Sequence, residues 1–494
     1  MNKTADIQPG PETEPAADDN VRLWLRLLAT SDIHANLLPY DYSADKPVDG
    51  WGLARTASLI DQARSEMTDC LLLDNGDFLQ GTPLADLVGT SEGNHSVEST
   101  VHPVIAAMNR LGYDAIALGN HEFNFGLDAL HDALAASASP VICANALTHR
   151  GQTVEEDETL LPPSVLIEQH LTDSQNGKKH LVRIGLLGLL PPQIATWDKQ
   201  HLGHAVTARD MVETATVRVP ALRAAGADIV VLLAHTGIDP GPVEPYMENA
   251  ALALARVPGV DAIIAGHSHE VFPRPNKDST GGADNSAGTL HGVPAVMPGY
   301  RGSHLGVLDL QITRRNGRWQ VTQHRAEARP VAPGNGAPPA PPHPAIIETV
   351  QESHAATLLH IQRPLAQTAR PVHSYLSLVR SDLPVRLVAE AQRQTVAKAL
   401  ADGPYGDLPV LSASAPYRTG GRAGPTAFTD IPAGVMTLRS ATDLYPFPNT
   451  LCALSLTGAE LHEWLERAAS CYLTIRPGVT YQIDVTAPPL YTHK

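Results

Sequence analysis

The sequence predicts an α/β protein built in two parts. Three observations carry that reading. Short apolar runs that suit buried strands alternate with segments of helical spacing through roughly the first two thirds of the chain. A proline-rich stretch, Arg329 to Pro344, then separates this part from a second mixed α/β region that runs to the end. Finally, the apolar runs stop at polar clusters, and the carboxyl ends of strands are where open α/β sheets hold their ligands.

Composition sets limits. The 494 residues are too many for one core and suit two or three domains. Hydrophobic content is 43%, charged content 18% and net charge −16. That acidity argues against sequence-independent binding to duplex nucleic acid or to anionic membranes. Anionic small molecules remain possible partners if metal ions supply local positive charge. Cys70, Cys143, Cys452 and Cys471 form no C-x-x-C pair, so free, mostly buried thiols are expected. No apolar run reaches 18 residues, so no transmembrane helix is expected. Residues 1–20 read as a disordered acidic tail without the apolar core of a secretory signal.

The elements follow in order. Val21 to Thr30 reads as a strand that ends in Ser31-Asp32-Ile33-His34. Gly52 to Ser65 has helical spacing. Cys70 to Leu73 is a second strand, ending in Asp74-Asn75-Gly76-Asp77. Pro103 to Leu111 reads as a helix, and Asp114 to Leu118 as a strand that ends in Gly119-Asn120-His121-Glu122. Further strands are expected at 140–143 and 180–190. A helix is expected from Thr207, capped by that residue with Asp210, to Ala225, kinked or split at Pro220. Asp228 to Ala234 is a buried strand ending at His235, and Val260 to Ala265 another ending in Gly266-His267-Ser268-His269. Val293 to Met297 and Gly306 to Thr313 read as closing strands.

The strand ends gather Asp32, His34, Asp77, Asn120, His121, His235, His267 and His269. Carboxylate, amide and imidazole groups suit zinc, manganese or iron. Asp-x-His and His-x-His would each present two side chains on one face of an extended segment, and Asp77 could serve two ions. A two-ion centre activates water and clamps the oxygens of a phosphoester. A lone Asp-x-His is more often a cap, and a lone strand-ending His a structural residue. Five such clusters in one domain are hard to explain as independent accidents.

The order Asp-x-His, Gly-Asp-x-x-x-Gly, Gly-Asn-His-Glu, lone His, Gly-His-x-His resembles the calcineurin-like metallophosphoesterases over residues 22 to about 320. Asp32 to Leu37, Tyr40-Asp41-Tyr42, Gly119 to Gly126, Pro191 to Asp198 and Asp443 to Leu451 are similar to its periplasmic bifunctional 2',3'-cyclic-nucleotide 2'-phosphodiesterase/3'-nucleotidase branch. The resemblance implies an α/β sandwich of two mixed sheets flanked by helices over 21–328. A linker over 329–344 and a smaller mixed α/β 5'-nucleotidase-type domain over 345–494 would follow. It implies two divalent ions (Mn, Zn, Fe or Co), one held by Asp32, His34, Asp77 and His269, the other by Asp77, Asn120, His235 and His267. His121 would face the substrate phosphate. In 5'-nucleotidases an Asp three residues on pairs with that His; Asn124 stands there, which points to the cyclic-phosphodiesterase branch.

In the second domain the resemblance makes Arg422 of Gly420-Gly421-Arg422 a substrate contact and Phe447 a stacking partner of the nucleobase. The stretch that brings a second aromatic in relatives is short here and leaves Tyr472 as the substitute. The resemblance thus implies a shortened second domain. Small nucleotides are the implied partners, and nucleoside 2',3'-cyclic phosphates and 3'-nucleotides the implied substrates. A 5'-nucleotidase or UDP-sugar hydrolase, or a weakly active metal- or nucleotide-binding remnant, are the alternatives.

Overall fold

The computed structural model describes residues 21–470 apart from 90–100, 275–276, 335, 379, 421–426, 447–448 and 450, and also describes 474–476. The expected acidic tail, Arg422, Phe447 and Tyr472 lie outside the described residues. The chain divides into two compact units. One comprises residues 1–40 and 46–356, the other 41–45 and 357–494.

The first unit is a sandwich of two mixed sheets. One sheet contains β1 (Arg22–Thr30), β2 (Cys70–Asp74), β3 (Ala115–Ala117) and β4 (Val141–Ile142), all parallel. The other contains β5 (Ser164–Thr172), β6 (Lys179–Leu189), β7 (Ile229–Ala234), β8 (Ala262–Ala265) and β9 (Val293–Pro298), of which β6 to β9 run parallel. The antiparallel hairpin β10 (His304–Arg315) and β11 (Arg318–Pro330) completes the first sheet beside β1. β5 and β6 form the matching antiparallel edge of the second. Both sheets thus have parallel centres whose carboxyl ends carry the polar clusters.

Period-two patterning makes the sandwich. Leu23, Leu25, Leu27 and Ala29 of β1 and Leu71 and Leu73 of β2 face Val182, Ile184 and Leu186 of β6 and Ile229, Val231 and Leu233 of β7 in one buried core. The alternate residues Val230, Leu232 and Ala234 face outward, where helix α3 (Met211–Ala224) covers them with Met211, Ala215, Val219 and Leu222. Helix α1 (Leu53–Glu66) lies against β10 of the first sheet, and Arg64 at its end donates to the carbonyl of Leu111 in α2 (Pro103–Leu111) at 2.8 Å. The buried guanidinium of Arg26 spans three elements, pairing with its cross-strand neighbour Asp309 at 2.7 Å and donating to the carbonyl of Ala63 in α1.

Four expectations need correction. Asp210, not Thr207, caps α3: its carboxylate accepts from the amides of Val212 and Glu213 at 2.8 Å each, while Thr207 pairs in a short strand. Pro220 does not split α3, which runs from Met211 to Ala224. Two long strands, β5 and β11, were not expected; they lie at sheet edges, and their exposed polar positions weaken the apolar signal. Of the cysteines, Cys143 is buried, Cys70 half-buried and Cys452 exposed, so burial holds for one of these three.

The proline-rich stretch does not stand free. Arg55 donates to the carbonyl of Ala340 at 2.6 Å and Ser58 to that of Pro341 at 2.7 Å, which lays the stretch along α1. Helix Pro344–Ile361 then carries the chain from the first unit to the second. The second unit contains helices Leu383–Leu400, Leu438–Leu444 and Gly458–Ser470 with two-stranded pairings such as Pro364–Thr368 with Gly434–Thr437. Thr457 caps its last helix, with Glu460 returning a bond to the Thr457 amide at 2.7 Å. No helix of the described residues is long and apolar enough to cross a membrane.

Candidate metal centre

Asp32, His34, Asp77, Asn120, His121, His235, His267 and His269 all follow the carboxyl ends of the parallel strands β1, β2, β3, β7 and β8. The turns that present them are not extended, contrary to the alternation expected for Asp-x-His and His-x-His. Asp32, His34, Asp77, His267 and His269 all have left-handed backbone, with φ of 53°, 49°, 59°, 70° and 59°. That conformation costs a non-glycine residue about 1–2 kcal/mol. Five residues holding it at one place are over-determined by their surroundings, as happens at functional sites.

The side chains then converge in an unusual way. His235 donates from Nδ1 to the carbonyl of Asn75 at 2.7 Å, which turns Nε2 toward Asp77 Oδ2 at 2.9 Å. His34 donates from Nδ1 to the carbonyl of Gln80 at 2.9 Å, and its Nε2 meets His269 Nε2 at 2.9 Å. His267 donates from Nε2 to Glu248 at 2.7 Å, and its Nδ1 meets the amide oxygen of Asn120 at 2.9 Å. In each pair two electron-rich atoms face each other, so a proton or a cation must lie between them. Asp77 Oδ2 and His235 Nε2 are buried, and apart from each other neither has a hydrogen-bond partner. Two ligand atoms bound at about 2.1 Å to one ion stand about 3 Å apart. The residues therefore fit divalent cations.

Geometry groups Asp32 with His34 and His269, and Asp77 with His235 and His267. Asp77 lies between the groups: its Oδ2 is also 4.0 Å from His34 Nε2. His121 falls in a third group with His34 and Asp77, but its Nδ1 is taken by the amide oxygen of Asn124 at 2.6 Å.

The charges are tuned by burial and by one another. Burial opposes a charge on His235, yet Asp77 and Asp32 outweigh it and raise the imidazole to about 10. Burial holds His34 well below the usual imidazole range against the pull of Asp77. Burial likewise lowers His269. The Asp77 carboxyl, though buried, is held well below its usual range by His235 and its other imidazole neighbours. The cluster thus attracts positive charge to its centre.

Residues that the motif reading did not assign hold this geometry. Glu122 is buried and accepts from the amides of Asp77, Phe78, Leu79 and Gly119 at 2.7–3.0 Å, tying the loop after β2 to the loop after β3. Asn75 bonds the carbonyl of Ala234 at 3.2 Å and so joins the ends of the two sheets. Glu248 orients His267. Gly119 and Gly266 leave room for close approach: a Cβ would stand 2.3 Å from Asp77 Oδ1 at the first and 2.3 Å from Ser31 Oγ at the second. A glycine beside four of the five clusters, all but that of Asp32 and His34, was the available sequence signal; Glu248 gave none.

Comparison with known proteins follows the same lines. Residues 25–271 match the calcineurin-like phosphoesterase family and residues 385–492 the 5'-nucleotidase C-terminal domain. The chain is 40% identical over 496 residues to a 2',3'-cyclic-nucleotide 2'-phosphodiesterase/3'-nucleotidase of Salmonella typhimurium, covering 94% of this chain and 75% of that protein. The chain belongs to the calcineurin-like phosphoesterases. This phosphoesterase is also 37% identical over 509 residues to the trifunctional nucleotide phosphoesterase protein YfkN of Bacillus subtilis, spanning 34% of that longer protein. The crystal structure of the calcineurin-like phosphoesterase YfkN superposes with a TM-score of 0.63 at 39% identity, covering 68% of this chain and 98% of that one. A 5'-nucleotidase precursor from Thermus thermophilus shares the fold, with a TM-score of 0.61 at 24% identity over 94% of this chain and 83% of that one. The family uses divalent metals, in keeping with the donors gathered here.

Proposed function

We propose that this phosphoesterase opens nucleoside 2',3'-cyclic phosphates at the 2' ester and then dephosphorylates the resulting 3'-nucleotides. The observation that carries the proposal is the trio of 2.9 Å contacts between electron-rich atoms, His235 with Asp77, His34 with His269 and His267 with Asn120, which suits two divalent ions. The relative named for these activities, 40% identical over most of the chain, supports the choice of substrate.

Asp32, His34, Asp77 and His269 would hold one ion, and Asp77, Asn120, His235 and His267 the other. When bound, two such ions supply Lewis acidity to the phosphoryl oxygens and an activated water. Asn120 and His267 fix each other across the mouth of β3 and β8. His121, its Nδ1–H engaged by Asn124, turns Nε2 to the substrate, and in its doubly protonated form would hydrogen-bond a phosphoryl oxygen or protonate the departing ribose oxygen. In the first step the oxygen of water bonds to phosphorus, the P–O2' bond breaks and O2' takes a proton. A second water then displaces O3' and yields nucleoside and phosphate. Arg422, Phe447 and Tyr472 would meet phosphate, ribose and base, and the 5'-nucleotidase-type domain would present the nucleotide. Such substrates arise in RNA breakdown, which fits a salvage role in the periplasm.

A panel of 2',3'-cyclic AMP, 3'-AMP and 5'-AMP, assayed with Mn²⁺ reconstitution, tests the reading. Adenosine release from the cyclic ester by way of 3'-AMP is expected. No turnover of any of these at any metal loading overturns it, and a preference for 5'-AMP over 3'-AMP would make a 5'-nucleotidase the better reading.

A further inference from the structure

His121 is held by Asn124, and a primary amide is an ambiguous partner. It offers an oxygen that accepts and a nitrogen that donates, and turning it over exchanges the two. An amide turned the wrong way would demand the other tautomer of the imidazole. Something must fix which end faces His121.

Asp198 is placed to do so. Asn124 Nδ2 donates to Asp198 Oδ1 at 2.8 Å, on the side opposite the 2.6 Å contact of its Oδ1 with His121 Nδ1. We propose that Asp198 is a positioning residue for His121, acting through the amide of Asn124. An ionised carboxylate only accepts, so it claims the amide nitrogen and leaves the amide oxygen for the ring. The amide oxygen in turn only accepts, so His121 Nδ1 must carry hydrogen and Nε2 is left for the substrate. The inference rests on reading His121 as the group that meets the substrate oxygen.

Two features favour this role over ordinary packing. Asp198 is 5% exposed, and among the described residues no cation pairs with it; Asn124 is the donor to its side chain. A buried carboxylate with so little compensation costs stability, and burial pushes its own proton affinity up against the Asn124 bond. The backbone around it is also well fixed. Its amide donates to the carbonyl of Ile194 at 3.0 Å, its carbonyl accepts from His201 and Leu202 at 2.8 Å each, and the neighbouring Trp197 ring stacks on His267 with centroids 5.9 Å apart. The carboxylate is thus anchored to the same cluster that it helps to order.

The relay can be reversed on paper, and that gives the test. Asn124→Asp alone sets two carboxylates against each other at hydrogen-bond distance. Adding Asp198→Asn restores a donor to the pair, and residue 124 again accepts from His121. We expect Asn124→Asp and Asp198→Ala each to lower kcat by about tenfold or more, with KM changed less, and the double exchange to recover most of the Asn124→Asp loss. A kcat for Asp198→Ala within about twofold of the parent, or a double exchange no better than Asn124→Asp, overturns the inference.

A readout independent of turnover separates this inference from the proposed function. In the full chain labelled with ¹⁵N-histidine, the His121 ring, assigned by loss in His121→Gln, is expected as the Nδ1–H tautomer. Asp198→Ala should convert it to a mixture, and an unchanged tautomer overturns the inference. If the parent protein hydrolyses none of the nucleotides yet the tautomer responds, the functional reading fails and the positioning role stands.

Discussion

The two groups of candidate ligands use the same residue types and are held in opposite ways. In the inner group, the His235 and Asp77 side chains are 0% and 1% exposed and meet at 2.9 Å. In the outer group, the His269 side chain is 40% exposed, and the close contact is between two imidazoles, His34 and His269. Carboxylates stand further off there, Asp32 at 3.5 Å from His269 and Asp77 at 4.0 Å from His34. The consequence is chemical. An acid and a base face each other in the inner group, so a proton can close it. Two imidazoles face each other in the outer group, where a neutral Nε2–H of His269 can donate to the lone pair of His34 Nε2, and burial disfavours a charge on either ring. The outer group can therefore close on a neutral hydrogen bond, while being more open to exchange with solvent.

Asp77 is the residue on which that contrast would collapse, because it lies between the groups. Asp77→Asn should lower kcat/KM on the order of a thousandfold or more and reduce both bound metals together. Metal analysis of the purified variant checks this; a variant that keeps two ions per chain would show that the groups do not share Asp77. Glu122 comes next, as it holds the loop of the inner group through four amides. Glu122→Ala strands those buried donors and should cost about 3–5 kcal/mol in unfolding free energy. Denaturant titration measures it, and a loss under about 1 kcal/mol would mean that water replaces the carboxylate.

His269 and His235 sharpen the contrast further. His269→Ala should leave the inner ion bound and remove the outer one, so that one ion per chain remains. His235→Ala removes the buried imidazole paired with Asp77 and should cost the inner ion. A graded chelator titration of the parent protein should likewise strip one ion before the other. Loss of both ions in a single step would erase the distinction between inner and outer groups.

Much of this was legible in the sequence because burial writes itself plainly into central strands. Ile229 to Ala234 and Ala262 to Ala265 are continuous apolar runs, and what ends them is conspicuous. The edge strands β5 and β11 were hidden because one face meets water. The chemical identity of the ligands could be read, but the turns that aim them could not: nothing in Asp32-Ile33-His34 announces left-handed backbone at both ends. Supporting residues were hardest. Asp198 lies 74 residues from Asn124, and Glu248 lies 19 residues from His267, so their pairing exists only in the folded chain. Glu122 was visible as part of Gly119-Asn120-His121-Glu122, yet its task was not, since an acid beside ligands suggests coordination before it suggests amide capture.

The smallest expected effect is the pH dependence of metal stabilisation, and its sign follows from the inner pair. His235 in the folded, metal-free protein is raised to about 10 from an ordinary value of 6.5. A group raised on folding contributes stability that is complete below its unfolded value and is lost as pH rises through its folded one. Asp77 is shifted the other way, so its contribution is present above its ordinary value of 3.8 and is lost in acid. The metal-free protein should therefore hold its inner group best between those two ordinary values, then weaken from about pH 6.5 toward about 10. A cation replaces the proton of His235 and does not leave as pH rises over that range. The gain in Tm on adding metal should then grow with pH across this window, as measured by scanning calorimetry of metal-free and metal-loaded protein at each pH. A gain that stays constant would show that the proton of His235 does not stand in for the metal, and that the inner group is ordered by its burial alone.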